Sequence, residues 1–118
     1  MNRKLTAAFA IVLLAAWRLA SAAEVAGDWA LALTAPEGAT YFTMSLEVDG
    51  SDVSGKAGES TFVGSLDGDR IQLSGDYFVA EAGYSAKLDM DLRLQEGQLR
   101  GTATWDMYTA RVVGKRPE

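Results

Sequence analysis

The chain has 118 residues, of which 11 are basic and 16 acidic, and its formal net charge at pH 7 is −5. It contains no histidine and no cysteine. That composition excludes disulfides, thiol chemistry, histidine-based nucleophilic catalysis, haem ligation by either residue, and zinc or copper sites built on nitrogen and sulfur.

The N-terminal segment has the organisation of an export signal. Two basic residues precede an apolar stretch over residues 5–16, and small residues follow at 20–23. This pattern predicts a signal peptide that is cleaved after Ala22 or Ala23. Because the stretch is short for a bilayer and Arg18 closes it, we favour cleavage over a retained membrane anchor.

Processing at this point defines the mature chain. Removal of residues 1–23 takes away three basic residues and no acidic one, which leaves 8 basic and 16 acidic residues and a net charge of −8. We expect a periplasmic or secreted protein with one domain over residues 24–118, which has no membrane association after cleavage. Its acidity disfavours nucleic acid and anionic lipid as partners, because like charges repel.

Alternation of apolar and polar residues predicts strands through the whole mature chain. The pattern is clearest over residues 84–94, where one face is apolar and the other is polar or charged. Runs of this kind give strands near residues 27–34, 40–48, 52–57, 60–66, 70–81, 84–95, 98–106 and 108–115. The fifth strand includes Gly75 as a bend, and a turn at Gly75 would raise the count to nine. A polar outer face is the reverse of the pattern of an outer-membrane barrel.

Short turns with glycine separate these strands, so neighbouring strands should pair antiparallel. The turns contain Glu37-Gly38, Asp49-Gly50, Asp67-Gly68, Ala82-Gly83 and Glu96-Gly97. An even number of strands lets the first and last pair with each other. The predicted fold class is all-β: an antiparallel up-and-down meander closed into a small barrel of about eight strands, preceded by a helical signal peptide. A two-layer sandwich is the alternative.

The two ends of the meander carry a resemblance to a known superfamily. Gly27-Asp28-Trp29 opens the first strand, and Gly114-Lys115-Arg116 ends the last. This combination is similar to the calycins, which include lipocalins and avidins, and to small exported bacterial lipocalin-like domains. The resemblance implies that Trp29 closes one end of the barrel under a basic residue of the last strand, Arg116 or secondly Arg111. The chain is shorter than lipocalins and lacks the dense polar pocket of avidins.

Large and small side chains alternate on the inward face, and small ones leave space unless the large ones interdigitate with them. This predicts an interior site for a small apolar or aromatic molecule that enters from the end opposite Trp29. Three aromatic side chains would supply its polar groups. The expected ligand-binding residues are Met44, Tyr84, Leu88, Met90, Ala103, Trp105 and Tyr108.

Two other functions stay open at this point. A barrel with a filled interior would act as an interaction or accessory module. A protein partner could then bind at Tyr77 and Phe78, which are adjacent and so cannot both face inward. An enzyme that uses carboxylates and tyrosines is the third alternative, although these residues form no recognisable constellation.

Carboxylates near the turns raise the question of a metal. Four of them flank glycine-containing turns, namely Asp49, Asp52, Asp67 and Asp69. Calcium takes such ligands, but the distal glutamate of a calcium loop is absent and aspartate beside glycine is common in turns. Asp89 and Asp91 alternate with Lys87 and Arg93 on the solvent face, which is typical of surface charge. We therefore expect neither a metal nor a cofactor.

Overall fold

The computed structural model describes residues 21–80 and 82–118, which form one short helix and eight strands. Helix α1 spans Ala22–Val25. The strands are β1 (Gly27–Ala35), β2 (Gly38–Asp49), β3 (Asp52–Ala57), β4 (Ser60–Asp67), β5 (Arg70–Val79), β6 (Tyr84–Gln95), β7 (Gln98–Trp105) and β8 (Tyr108–Lys115). In this described part of the chain, no helical segment has the length and hydrophobicity that crossing a bilayer requires. Residues 1–20, which hold most of the predicted signal peptide, lie outside the described residues, so the signal peptide stays a prediction.

The strands form one closed barrel in the order β1 to β8. Each strand pairs antiparallel with the next along the chain, and β8 returns to β1 through a ladder from Ala30–Lys115 to Thr34–Arg111. The predicted all-β barrel is therefore confirmed, and the sandwich alternative is wrong. Closure matters because it leaves no strand with unpaired backbone groups at an edge.

Gly75 lies within β5, which confirms the predicted bend and rejects a turn at this point. The β4–β5 ladder ends at Val63–Ser74, one residue before it. A β-carbon at Gly75 would collide with the carbonyl oxygen of Thr61 and the ring of Phe62. Glycine therefore lets β5 pass close to β4 and continue its pairing with β6.

The interior of the barrel is apolar throughout its described part. Every buried side chain there is hydrophobic, and no buried side-chain nitrogen or oxygen lacks a hydrogen bond. The largest are Trp29, Phe62, Met44, Ile71, Leu73, Leu88, Leu92 and Leu99. Burial of each large side chain contributes about 1.5–3 kcal/mol, so packing stabilises this chain, which has no cysteine to form disulfides.

An up-and-down meander places its turns alternately at the two ends of the barrel. Helix α1 and the end of β8 lie at one end, together with the turns β2–β3, β4–β5 and β6–β7. The turns β1–β2, β3–β4, β5–β6 and β7–β8 lie at the other end. The two ends therefore carry different side chains.

Candidate ligand-binding site

Trp29 and helix α1 close one end of the barrel. The Trp29 side chain is 1% exposed, and its indole Nε1 donates a hydrogen bond to the carbonyl oxygen of Val25 at 2.8 Å. Val25, the last residue of α1, is fully buried. Among the described residues, helix α1 thus covers this end of the barrel, and the hydrogen bond from the indole holds it there.

Arg116 is the basic residue that lies over Trp29. Its guanidinium carbon is 3.9 Å from the centre of the indole ring, within the range of a cation–π contact. Arg111, the second candidate, stands opposite Thr34 in the β1–β8 ladder and is exposed on the outer face. The alternation along β8 explains the difference, because Arg111 falls on the opposite face from Arg116.

The same guanidinium also binds the backbone that joins α1 to β1. Nη1 donates to the carbonyl oxygen of Asp28 at 3.0 Å, and Nη2 donates to those of Glu24 at 2.7 Å and Ala26 at 2.9 Å. A planar fork with several donors suits this task better than an ammonium. All three carbonyls belong to Glu24 or later residues, so either predicted cleavage keeps them. Cleavage would remove Ser21, which caps α1 in a capping box with Glu24, together with Ala22, the first residue of the helix.

The opposite end holds an open cavity of about 350 Å³, which we call the cup. Side chains from β1, β2 and β5–β8 and from the adjoining turns line it. The volume is at the lower end of the range for small-molecule sites, roughly 300–1,000 Å³. The cup and the closed end therefore lie at opposite ends of one barrel.

Four of the seven expected ligand-binding residues line the cup: Leu88, Ala103, Trp105 and Tyr108. Met44 stands opposite Trp29 in the β1–β2 ladder and is 1% exposed, so it belongs to the core of the closed end. Met90 is buried between its partners on β5 and β7. Tyr84 stands at the rim and is 41% exposed. Alternation predicts that all of these face inward, but it does not give their height along the barrel.

Several cup residues were not among the seven expected ligand-binding residues, because they lie at strand ends or in turns. They include Leu33, Ala35, Glu37, Ala39, Thr40, Tyr77, Val79 and Ala110. Their place in the chain could have predicted them, because each stands near a turn at the end of the barrel where Trp105 and Tyr108 also lie. Tyr77 is half-buried with its ring centre 4.8 Å from that of Phe42, whereas Phe78 is 56% exposed.

The small inward residues have two different roles, and only one of them concerns the cup. Ala103 and Ala110 line it, because their short side chains leave space beside the larger ones. Gly64 and Gly101 do not line it. A β-carbon at either glycine would collide with a carbonyl oxygen of the neighbouring strand, that of Gln72 or of Asp91. These glycines allow close approach of the strands and so shape the barrel rather than its cavity.

Aromatic rings form a row along the wall made by β6, β7 and β8. The ring centres of Tyr84 and Trp105 are 4.9 Å apart, and those of Trp105 and Tyr108 are 6.2 Å apart. These distances are typical of favourable aromatic pairs. Trp105 is held further by its Nε1, which donates to the backbone oxygen of Tyr77 at 2.8 Å. The row presents ordered π surface at the entrance of the cup.

Asp106 fixes the outer member of this row. The Tyr84 hydroxyl donates to Asp106 Oδ2 at 2.6 Å, and this hydrogen bond is the main reason that the pKa of Tyr84 rises to about 12. Asp106 has a φ of 54°, a left-handed conformation that glycine adopts in the β2–β3 turn at Gly50 and the β3–β4 turn at Gly58. An aspartate at such a position costs about 1 kcal/mol of backbone strain. At this position Asp106 accepts the hydrogen bond that holds the Tyr84 ring at the rim.

Carboxylates elsewhere are engaged on the outer surface. Asp91 accepts a two-point hydrogen bond from Arg70, which lowers the pKa of Asp91, and Asp69 pairs with Arg93 at 2.8 Å. Asp89 accepts a hydrogen bond from Ser74. Among the described residues no three acidic groups lie close enough together to hold a metal ion.

Comparisons with known proteins add no assignment. A scan against protein-family models gives no match, and a search of curated proteins finds no relative.

Proposed function

We propose that this chain is an exported, calycin-like barrel that binds a small, largely apolar or aromatic molecule in the cup. The observation that carries the proposal is an apolar cavity of about 350 Å³ at one end of a barrel whose other end is closed by Trp29. A barrel built only to be stable would gain from covering the apolar surface that this open cavity leaves in contact with water.

The lining of the cup has the composition expected of such a site. Most of its side chains are aliphatic or aromatic, and polar groups are few, chiefly the Thr40 and Tyr108 hydroxyls and the Glu37 carboxylate. An apolar wall supplies affinity through desolvation, and a few polar groups set the orientation of the ligand. The contacts of Trp105 and Tyr84 with Tyr77 and Asp106 hold the aromatic wall in place before the ligand arrives, which lowers the entropic cost of binding.

A second candidate function is an interaction module that binds a protein at the same rim. Two large apolar side chains there face solvent, Phe78 at 56% and Met107 at 80% exposure. Where such side chains form one contiguous patch, the patch is typical of a contact site. The two functions differ in what they require, because only ligand binding needs the cup to be empty.

A blocking variant separates the two candidates. Ala103→Leu places a larger side chain in the cup, and Ala110→Leu does so from the neighbouring strand. Ala30→Leu makes the same change on the outer face of β1 and serves as the control. Each protein is screened by thermal shift against a panel of small apolar and aromatic compounds. Hits are titrated by tryptophan fluorescence in a Trp29→Phe background, where Trp105 is the emitter in the mature chain.

We expect hits that stabilise the parent protein and Ala30→Leu, quench Trp105, and lose binding at least tenfold in both blocking variants. A folded parent that shows no thermal shift across the panel would contradict ligand binding. Hits that bind the blocking variants as well as the parent would place their site outside the cup.

A further inference from the structure

The charges around the cup indicate the chemistry of its ligand. This inference rests on the proposed function. We infer that the ligand carries a positive charge, an ammonium or a related cation, that lies between Glu37 and the aromatic wall. The lining, the rings and the hydrogen bonds of the rim each support this.

The first support is the charge of the lining. Among the described residues that line the cup, Glu37 alone carries a formal charge, and none is lysine or arginine. Two bases stand directly beside lining residues, Lys87 next to Leu88 and Arg111 next to Ala110, and both are exposed on the outer surface. An anionic ligand such as a fatty acid would find no basic residue in this lining, whereas a cation finds an acidic one.

The second support is the supply of ring faces. Tyr77, Trp105 and Tyr108 all line the cup. The face of an aromatic ring carries negative electrostatic potential, so rings around one cavity attract a cation, and more strongly when water is excluded. Several rings that surround an ammonium with a carboxylate nearby are a recurring arrangement for binding such groups.

The third support is position. The β1–β8 ladder ends at Thr34–Arg111, and beyond it the chain leads to Glu37 on one side and Tyr108 on the other. Both residues line the cup. Tyr108 in turn stacks beside Trp105, with ring planes 22° apart. Glu37 and the aromatic row thus lie on the same side of the mouth, where a ligand can contact both.

The fourth support is that two polar groups of the rim are already used within the protein. The indole N–H of Trp105 donates to the backbone of Tyr77, and the Tyr84 hydroxyl donates to Asp106. These donors are therefore not directed at a ligand. An acceptor-rich ligand gains little from them, whereas a cation would use the aromatic rings and the acidic residue that line the cup.

Three probes of similar size test the charge directly: phenethylammonium, phenethyl alcohol and phenylpropionate. Titration calorimetry on the mature protein should show the cation binding about tenfold more tightly than the alcohol, the magnitude expected when a cation meets rings and a carboxylate. The anion should bind more weakly than the alcohol. The advantage of the cation should decrease in high salt, because salt screens the contribution of Glu37.

Glu37→Gln should reduce binding of the cation about threefold or more and leave the alcohol unchanged. Glu59→Gln, in the β3–β4 turn at the same end but outside the lining of the cup, is the matched control and should change neither. Equal binding of cation and alcohol would overturn this inference while the proposed function stands. Failure of all three probes, together with a failed panel of neutral compounds, would overturn both.

Discussion

Replacement of Trp29 tests how the barrel end is closed. The side chain is 1% exposed, donates one hydrogen bond to Val25 and lies under Arg116 at 3.9 Å. Trp29→Ala removes this volume from a packed interior and should lower the free energy of unfolding by about 3–5 kcal/mol. For a domain of this size each kcal/mol lowers the melting temperature by about 4–8 °C. The loss is a large part of the stability of a typical small domain.

Arg116→Ala should cost less, about 1–3 kcal/mol. It removes hydrogen bonds to three carbonyls and a cation–π contact, but the side chain is exposed, so water replaces part of what is lost. Arg116→Lys keeps the charge without the planar fork and should fall between parent and Arg116→Ala. Trp29→Phe retains a ring without the N–H donor and should cost about 1–2 kcal/mol, which keeps the test informative if Trp29→Ala does not fold.

Urea unfolding followed by circular dichroism measures all four variants on one scale. The account predicts the order of stability parent, Trp29→Phe and Arg116→Lys, Arg116→Ala, then Trp29→Ala. The reasoning is refuted if Trp29→Ala unfolds at the parent midpoint, or if Arg116→Ala costs as much as Trp29→Ala.

Three further predictions follow from the same structure. Tyr84 should ionise with a pKa of about 12, measured by ultraviolet absorbance, and Asp106→Asn should lower that pKa toward 10. Because the pKa is raised in the folded state, the hydrogen bond contributes to the free energy of unfolding below pH 10, and this contribution is lost as the pH rises through about 12. Gly75→Ala should lower the free energy of unfolding in urea by about 1–3 kcal/mol, because its β-carbon meets the backbone of the neighbouring strand, and a neutral result would show that β4 and β5 do not approach closely. Intact mass of the exported protein should correspond to a chain that begins at Ala23 or Glu24, and a stable product that retains residues 1–20 would contradict cleavage.

Strand number, pairing and closure were predictable because they depend on local signals. Alternation of apolar and polar residues marks strands, and glycine marks the turns, as at Gly50 and Gly68, whose φ values are 63° and 65°. An even count of strands joined by short turns leaves closure as the simplest arrangement. The fifth strand ends at Val79 rather than at residue 81, because the backbone N–H groups of Ala82 and Gly83 both donate to the Val79 carbonyl.

The cup was only partly predictable because its depth depends on the stagger of the strands. Met44 and Leu88 share the same inward pattern, but the register sets Met44 opposite Trp29 and Leu88 opposite Trp105. No local pattern distinguishes these two heights. The place of Glu37 in the lining of the cup was also not predicted. A charged residue in a turn indicates only a solvent-exposed connection until the arrangement of the strands around it is known.

Native mass spectrometry of the protein purified from its own host tests the central claim most directly. The account predicts a species that carries one small molecule per chain in the parent and in Ala30→Leu, and its loss in Ala103→Leu, because the larger side chain occupies the cup. The bound molecule should carry an ammonium or similar cation. If the parent and Ala103→Leu both show the mass of the polypeptide alone, or if both retain the same molecule, the cup is not the binding site and the account is contradicted.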